Sequence, residues 1–407
     1  MCVLRAGTAL VTLACMTAGS VRCTTVESRT GGGIILPGAD APPPPVGTAS
    51  QTSVAAAGLC SVSYDGFTLP LIAPAGRWMA VQTGVAPEWP ALLGTKDARI
   101  PVASSLEVWS LAERTGTRVA TLEKGLILGR SADQEGFLVE EILDDGSRRI
   151  GYVRWPDVAM APATPTAPPT LQPEWLIDDG RVNAFACLGP DGTIAWSARD
   201  ITNSDFSLSV RSATSAFEVP AAPDQSWLLP VFARDSRTIF AIRLRDGIAD
   251  LVAADITDED AFHQSLIVRR LSVRMDSRRA YQAMAPQGTD SAVGPGEDAR
   301  LVIFDPDLRR MAVWDPANDS LRPLAERSFA ACIAADGSVL VSDGEGVFLD
   351  HPDGQPGRAP LVYERVAVPR RVQFEGDAPG DWILLVPDRR SISVVRFALL
   401  QATLTSR

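Results

Sequence analysis

Lysine is nearly missing from this chain: Lys96 and Lys124 are the two present in 407 residues, and arginine carries the rest of the positive charge. Histidine is equally scarce, with His263 and His351 alone, which restricts metal ligation and general-base chemistry. The six cysteines, Cys2, Cys15, Cys23, Cys60, Cys187 and Cys332, include no CxxC pair. A dense disulfide framework and a thiolate zinc site are therefore both disfavoured. The chain also lacks a GxSxG elbow, a GxGxxG turn after a strand and a Walker-type glycine loop. No long segment repeats with helical 3.6-residue periodicity. The net charge of −11, with a pI near 4.8, argues against nucleic acid, which needs clustered cations. Acidity of this kind reads as solubility.

What is present begins with an export-type start, residues 1–23. Arg5 leads into an apolar run from Ala6 to Val21 that is too short and too rich in Gly and Thr to be read as a spanning helix. Ala18, Gly19 and Ser20 offer small residues to a signal peptidase. Cys15, in the context VTLAC, is the candidate lipidation site, with Leu13 one position nearer the cysteine than the usual lipobox. Residues 24–58 contain GGG at 31–33 and PPPP at 42–45, and cannot bury enough apolar surface to offset their chain entropy. They read as a flexible tether.

Residues 59–407 are β-patterned. The best-formed stretch is WLLPVFARDSRTIFAIRLRDGIADLVAADI, Trp227 to Ile256, three apolar runs separated by two polar turns. Related units open with FTLPLIAP near residue 67, GLILGRS at 125, AFACLG at 184, AYQAMAP at 280, FAACIA at 329 and RRVQFEG at 370. Turn markers at Gly76, Gly136, Gly192 and Ser236, and at Gly337 and Gly380, recur at roughly 40 to 60 residues, the period of a propeller blade, and one further turn falls between the two groups in the 287–298 loop that follows AYQAMAP. A four-stranded sheet cannot cover its own two apolar faces, but radial stacking of such sheets covers them. The expected fold is all-β, a β-propeller of about seven four-stranded blades. A Pro/Thr segment at 161–173 interrupts the series. It reads as a long surface loop or as a boundary between a small β domain and a separate propeller.

IAPAGRWMAVQ, CLGPDGTIAWSA and VFARDSRTIFAI resemble the TolB-type repeat, in which a Ser-Pro-Asp-Gly-like turn links the first two strands. LEVWSLAERTGTRVATL is similar to the end of a WD-type blade. The resemblance covers residues 67 to 400 and implies the propeller fold and a role in binding, not a particular reaction.

Candidate chemistry is sparse. His263 falls in a predicted loop, AFHQSL, and His351 in a turn; both read as solvated. The acidic groups Asp255, Asp258, Glu259 and Asp260, and Asp315, Asn318 and Asp319, lack the DxDxDG spacing of a calcium loop. Cys187 and Cys332 sit in apolar first strands and read as buried free thiols. Trp78, Trp109, Trp196, Trp314 and Trp382 lie in predicted strands as core, while Trp89, Trp175 and Trp227 lie nearer strand starts, where one could stack on a sugar or peptide. The sequence therefore points to an exported, monomeric binding or assembly module of the cell envelope, with a protein or glycan partner met by rim loops and no cofactor, metal or catalytic residue assigned. The alternative is a propeller hydrolase or lyase for polysaccharide or peptide, with acids lining the central opening.

Overall fold

The apolar runs of this chain alternate side chains that are hydrophobic on both faces of the strand, so each sheet has two faces to bury. A computed structural model shows how they are buried. It describes residues 52–63, 70–73, 76–83, 105–111, 117–156, 168–189, 191–233, 237–272, 291–293, 299–305, 309–333, 338–350, 361–363, 367–371, 381–387 and 391–401.

The first described strand is β1 (Thr52–Ser63), which is used last. Blade 1 is β2 (Leu71–Ile72), β3 (Trp78–Thr83), β4 (Ser105–Ser110) and β5 (Thr117–Leu122). Blade 2 begins with β6 (Leu126–Ala132), β7 (Gly136–Ile142) and β8 (Arg148–Arg154). The chain then leaves the blade: β9 (Thr170–Leu171) pairs in parallel with β5, and β10 (Glu174–Ile177) returns to pair with β8. Blade 3 is β11 (Val182–Leu188), β12 (Ile194–Arg199), β13 (Ser207–Arg211) and β14 (Ala216–Val219). Blade 4 is β15 (Gln225–Phe232), β16 (Thr238–Arg245), β17 (Ile248–Asp255), helix α1 (Glu259–Ser265) and β18 (Ile267–Ser272). Blade 5 is β19 (Ser291–Val293), β20 (Ala299–Asp305), β21 (Arg310–Asp315) and β22 (Ser320–Pro323). Blade 6 is β23 (Ala330–Ile333), β24 (Val339–Ser342), β25 (Val347–Asp350) and β26 (Leu361–Tyr363). Blade 7 is β27 (Val368–Arg371), β28 (Asp381–Pro387) and β29 (Ser391–Gln401), and β1 completes it by pairing antiparallel with β29 from Thr52↔Gln401 to Ser63↔Ser391.

Every neighbouring pair of blades shares an apolar cluster, and the series closes on itself. Trp78 and Val108 of blade 1 meet Phe137 and Val139 of blade 2. Leu138 and Ile150 meet Ala186 and Trp196 of blade 3. Cys187 and Leu208 then meet Ile239 and Val252 of blade 4. Phe240 and Leu251 meet Leu301 and Trp314 of blade 5. Val302 and Val313 meet Ala331 and Val341 of blade 6, and Leu340 and Leu349 meet Leu384 and Val386 of blade 7. Ile383 and Leu385 finally meet Met79 and Val81 of blade 1. Successive residues of TIFAIRLR thus serve opposite interfaces: Ile239 and Ala241 face blade 3, Phe240 and Ile242 face blade 5. This is why its strands read as continuous rather than alternating apolar runs. The chain is a seven-bladed all-β propeller.

Polar side chains on second strands also bind the first strand of the next blade. Gln82 is fully buried; its Nε2 donates to the Leu126 carbonyl at 3.2 Å, and its Oε1 accepts from the Leu128 N–H at 2.9 Å. Glu140 does the same one blade on, accepting from the Phe185 N–H at 2.9 Å and from Arg148 Nη1 at 2.9 Å. Phe185 sits in the left-handed region with φ +58°, in a bulge of β11, and Leu229 repeats that φ in the bulge of β15. For an L residue this conformation costs roughly 1–2 kcal/mol.

Three expectations need adjustment. Strand β1 begins at Thr52, so residues 52–58, read as tether, belong to it. Their Ala/Ser/Gly composition gives a weak strand signal, and their partner lies at the far end of the chain. The innermost strand of blade 5, β19, falls inside the expected loop after AYQAMAP, which itself lies outside the described residues. Of the interruption at 161–173, residues 168–173 are described: β9 pairs with β5, and Leu171, with Trp175 just beyond, packs on the core shared by blades 1 and 2. His263 lies in α1 rather than a loop. Asp258 caps that helix by accepting the Ala261 N–H at 2.7 Å, Glu259 and Asp260 favour its first turn, and Phe262 anchors it.

Candidate functional site

In each blade the second strand ends and the third strand begins at one end of the ring, where the first strand also begins. The pairings Val182↔Arg199 and Ala198↔Ser207 fix this sense for blade 3. We call this end the upper rim and the opposite end the lower rim.

The innermost strands, β2, β6, β11, β15, β19, β23 and β27, contain no Asp or Glu; their charged residues are Arg130, Arg370 and Arg371. An acid-lined opening is therefore not built from these strands.

The larger of two described cavities, about 450 Å³, opens on the upper rim of blade 3. Its floor comes from the ends of β11 and β12 and its walls from the β12–β13 loop and the segment Pro220–Pro223. Arg199, buried, organises the β12–β13 loop: its Nη1 donates to the carbonyls of Asp200, Ile201 and Asn203 at 3.2, 3.4 and 2.6 Å. Its guanidinium carbon lies 5.1 Å from the Phe206 ring centre. Burial, with repulsion from Arg148, holds the Arg199 guanidinium below its ordinary pKa. Arg181 is clamped by Glu218, with Nη1 and Nη2 donating to Oε2 and Oε1 at 2.8 and 3.1 Å. That bond raises the pKa of Arg181 and lowers that of Glu218. At the mouth, Asp200 has two long contacts, 3.3 Å to Asn203 Nδ2 and 3.4 Å to Arg181 Nε. A second, smaller cavity of about 240 Å³ lies beside β8 and the β9–β10 connection, lined by Tyr152 and Arg154 among others.

The acidic groups singled out in the sequence have local tasks. Asp255 accepts from the N–H and hydroxyl of Thr257 at 2.8 and 2.5 Å and pairs with Arg237. Asp315 faces Arg300 at 3.4 Å, and Asp319 faces Arg269 at 3.0 Å. Groups of three or more His, Cys, Asp or Glu placed to hold a metal do not occur among the described residues. Cys187 and Cys332 are buried free thiols in different blade interfaces, as expected, and burial pushes the Cys187 thiol up to about 12. Trp78, Trp196 and Trp314 are core residues, and Trp109 is half-buried beside the blade 7 interface. Trp227, a candidate for ligand stacking, is instead 3% exposed and packs edge-to-face on Phe262 at 5.7 Å. Trp175 is covered by the Arg149 guanidinium at 3.7 Å and packs against Gly151. Cys15, Trp89, His351 and Gly337 lie outside the described residues. Sequence reading missed the upper-rim cavity, because its lining comes from three separated segments with no shared motif.

No family model and no curated protein matches the chain. Among solved structures it is similar to the WD40 domain of Toxoplasma gondii coronin, at 11% identity and TM-score 0.46, covering 86% of this chain and 87% of that one. It is similar also to the Cps50 (Swd1) β-propeller domain of Myceliophteria thermophila, at 11% identity and TM-score 0.46, covering 84% of this chain and 99% of that one. A protein assigned as TolB from Agrobacterium tumefaciens gives 13% identity and TM-score 0.38, covering 70% of this chain and 94% of that one. The TolB-type and WD-type resemblance is thus weak, and the closed series of blade interfaces defines the class independently of it. A rigid ring with loops gathered on its rims fits a binding or assembly module.

Proposed function

We propose that this chain is a non-catalytic recognition or assembly module of the bacterial-type cell envelope, using the upper rim of blades 3 and 4 to meet its partner. The observation that carries this reading is the distribution of uncommitted groups. Strand side chains are consumed by the blade interfaces, whereas the larger cavity and its exposed polar lining lie in upper-rim loops. The hydrolase alternative draws no support from the inner strands, whose charged residues are arginines. Export rests on residues 1–23, with Cys15 as the lipidation candidate, and the stretch up to Thr52 serves as the tether. Photo-crosslinking in cells tests the reading, with the reactive side chain at Thr202 on the upper rim or at Glu135 on the lower rim. Discrete adducts at Thr202 and few at Glu135 are expected; equal or absent labelling at both contradicts it. Mass spectrometry of the mature N-terminus tests export and acylation separately.

A further inference from the structure

The sign of the charge that the upper-rim cavity offers to solvent follows from how its four ionised residues are engaged. Its two cations are spent on the protein itself. Arg199 is 7% exposed and turned onto backbone carbonyls, and Arg181 is held end-on by Glu218. Its two carboxylates are less committed, and Asp200 accepts only a long hydrogen bond of 3.3 Å from Asn203 Nδ2. The Asp200 side chain is 63% exposed, and its 3.4 Å contact with Arg181 Nε lacks hydrogen-bond geometry, since that nitrogen is buried without a hydrogen-bond partner. Asp205 also lines the cavity, half-buried, and no described residue makes a hydrogen bond or ion pair with its carboxylate.

From this we propose that the cavity receives a cationic side chain, an arginine or lysine, from a protein docking on the upper rim; the inference rests on the recognition reading above. Asp200 and Asp205 would grip the cationic head, and the Pro220–Pro223 wall would cover its methylenes. The size fits, since about 450 Å³ falls within the range of roughly 300–1,000 Å³ usual for ligand sites. Exposed Asp179, Asp224 and Asp246 on neighbouring upper-rim turns extend the negative field, and the net charge of −11 steers a basic partner toward it. A carboxylate-bearing ligand meets the opposite situation, because it must first displace Glu218 from Arg181.

The test uses the full chain and two fluorescein-labelled pentapeptides, identical except for a central arginine or its neutral isostere citrulline. Fluorescence anisotropy should show the arginine peptide binding at least tenfold tighter. The double variant Asp200→Asn, Asp205→Asn should lose that preference with an unchanged melting temperature, whereas Glu135→Gln on the lower rim should keep it. Equal binding of the two peptides, or a preference untouched by the double variant, overturns the proposal. Partner adducts that persist at Thr202 in the double variant would reject this pocket and leave upper-rim recognition standing. Loss of the adducts together with the arginine preference supports both.

Discussion

Glu140 and Phe185 belong to different blades, yet the carboxylate of one accepts the backbone N–H of the other at 2.9 Å while its second oxygen holds Arg148. Phe185 sits at φ +58° where the register of β11 shifts, and Glu140 accepts its N–H from the adjacent blade. Glu140→Ala would remove a charged acceptor from a buried guanidinium and from a buried N–H together. A loss of about 3–5 kcal/mol is expected in urea unfolding. Gln82→Ala, which frees the Leu126 carbonyl and the Leu128 N–H, should cost roughly 2–4 kcal/mol by the same logic. Losses under about 1 kcal/mol at both sites would show that these contacts do not couple the blades.

Removing residues 52–63 should open the ring. Such a truncation bares the edge of β29 from Ser391 to Gln401 and removes Val62 from the interface between blades 7 and 1. Size-exclusion chromatography should then show self-association, with a lower and broader thermal transition. A monomer that melts like the full chain would rule out closure by this strand.

Gly192 and Gly136 mark comparable turns in the sequence but differ physically. Gly192 has φ +81° with open space around it, so Gly192→Val should cost on the order of 1–2 kcal/mol through backbone strain alone. At Gly136 an added Cβ would lie 2.3 Å from the Val153 carbonyl oxygen, so even Gly136→Ala forces β7 and β8 apart. The alanine there should destabilise more than the valine at Gly192, and chemical denaturation of the two variants gives the order.

The Cys187 thiol links stability to alkaline pH. Its folded-state pKa is raised from 9.0 to about 12 by burial, so the folded state keeps its proton where the unfolded chain loses it. The stabilisation is complete below pH 9 and is lost as pH rises toward 12. One such proton gives a slope of roughly 1.4 kcal/mol per pH unit. Cys187→Ala should flatten that limb, and native protein at pH 8 should resist thiol reagents until denaturant is added. Rapid labelling of folded protein would contradict the burial.

The parts of the fold that are legible in the sequence are those set by local chemistry. The turn at Asp246-Gly247 needs two positive φ angles, +51° and +73°, and Asp-Gly announces it between two apolar runs. Blade 4 could therefore be drawn almost strand for strand. What stayed hidden depends on distant partners. TSVAAAGLCSVS becomes a strand because β29 lies beside it, and β9 exists because β5 has an outer edge to cover. Glu140 sits in FLVEEIL with nothing to distinguish it from Glu141, yet one is buried and the other half-exposed. In the cavity, Arg181, Asp200 and Asp205 are ordinary loop residues in sequence; their geometry depends on Arg199 folding the loop around itself.

The strand that completes blade 7 has a consequence for timing. Its two halves lie far apart in sequence, so a growing chain holds β1 without its mate until β29 has emerged. At about 5–20 residues per second that interval lasts on the order of tens of seconds. Until then blades 1 and 7 cannot share their core, and the most durable state of the protein is out of reach. A ring sealed by β29 stays open until that strand is made, so closure follows the synthesis of residues 391–401.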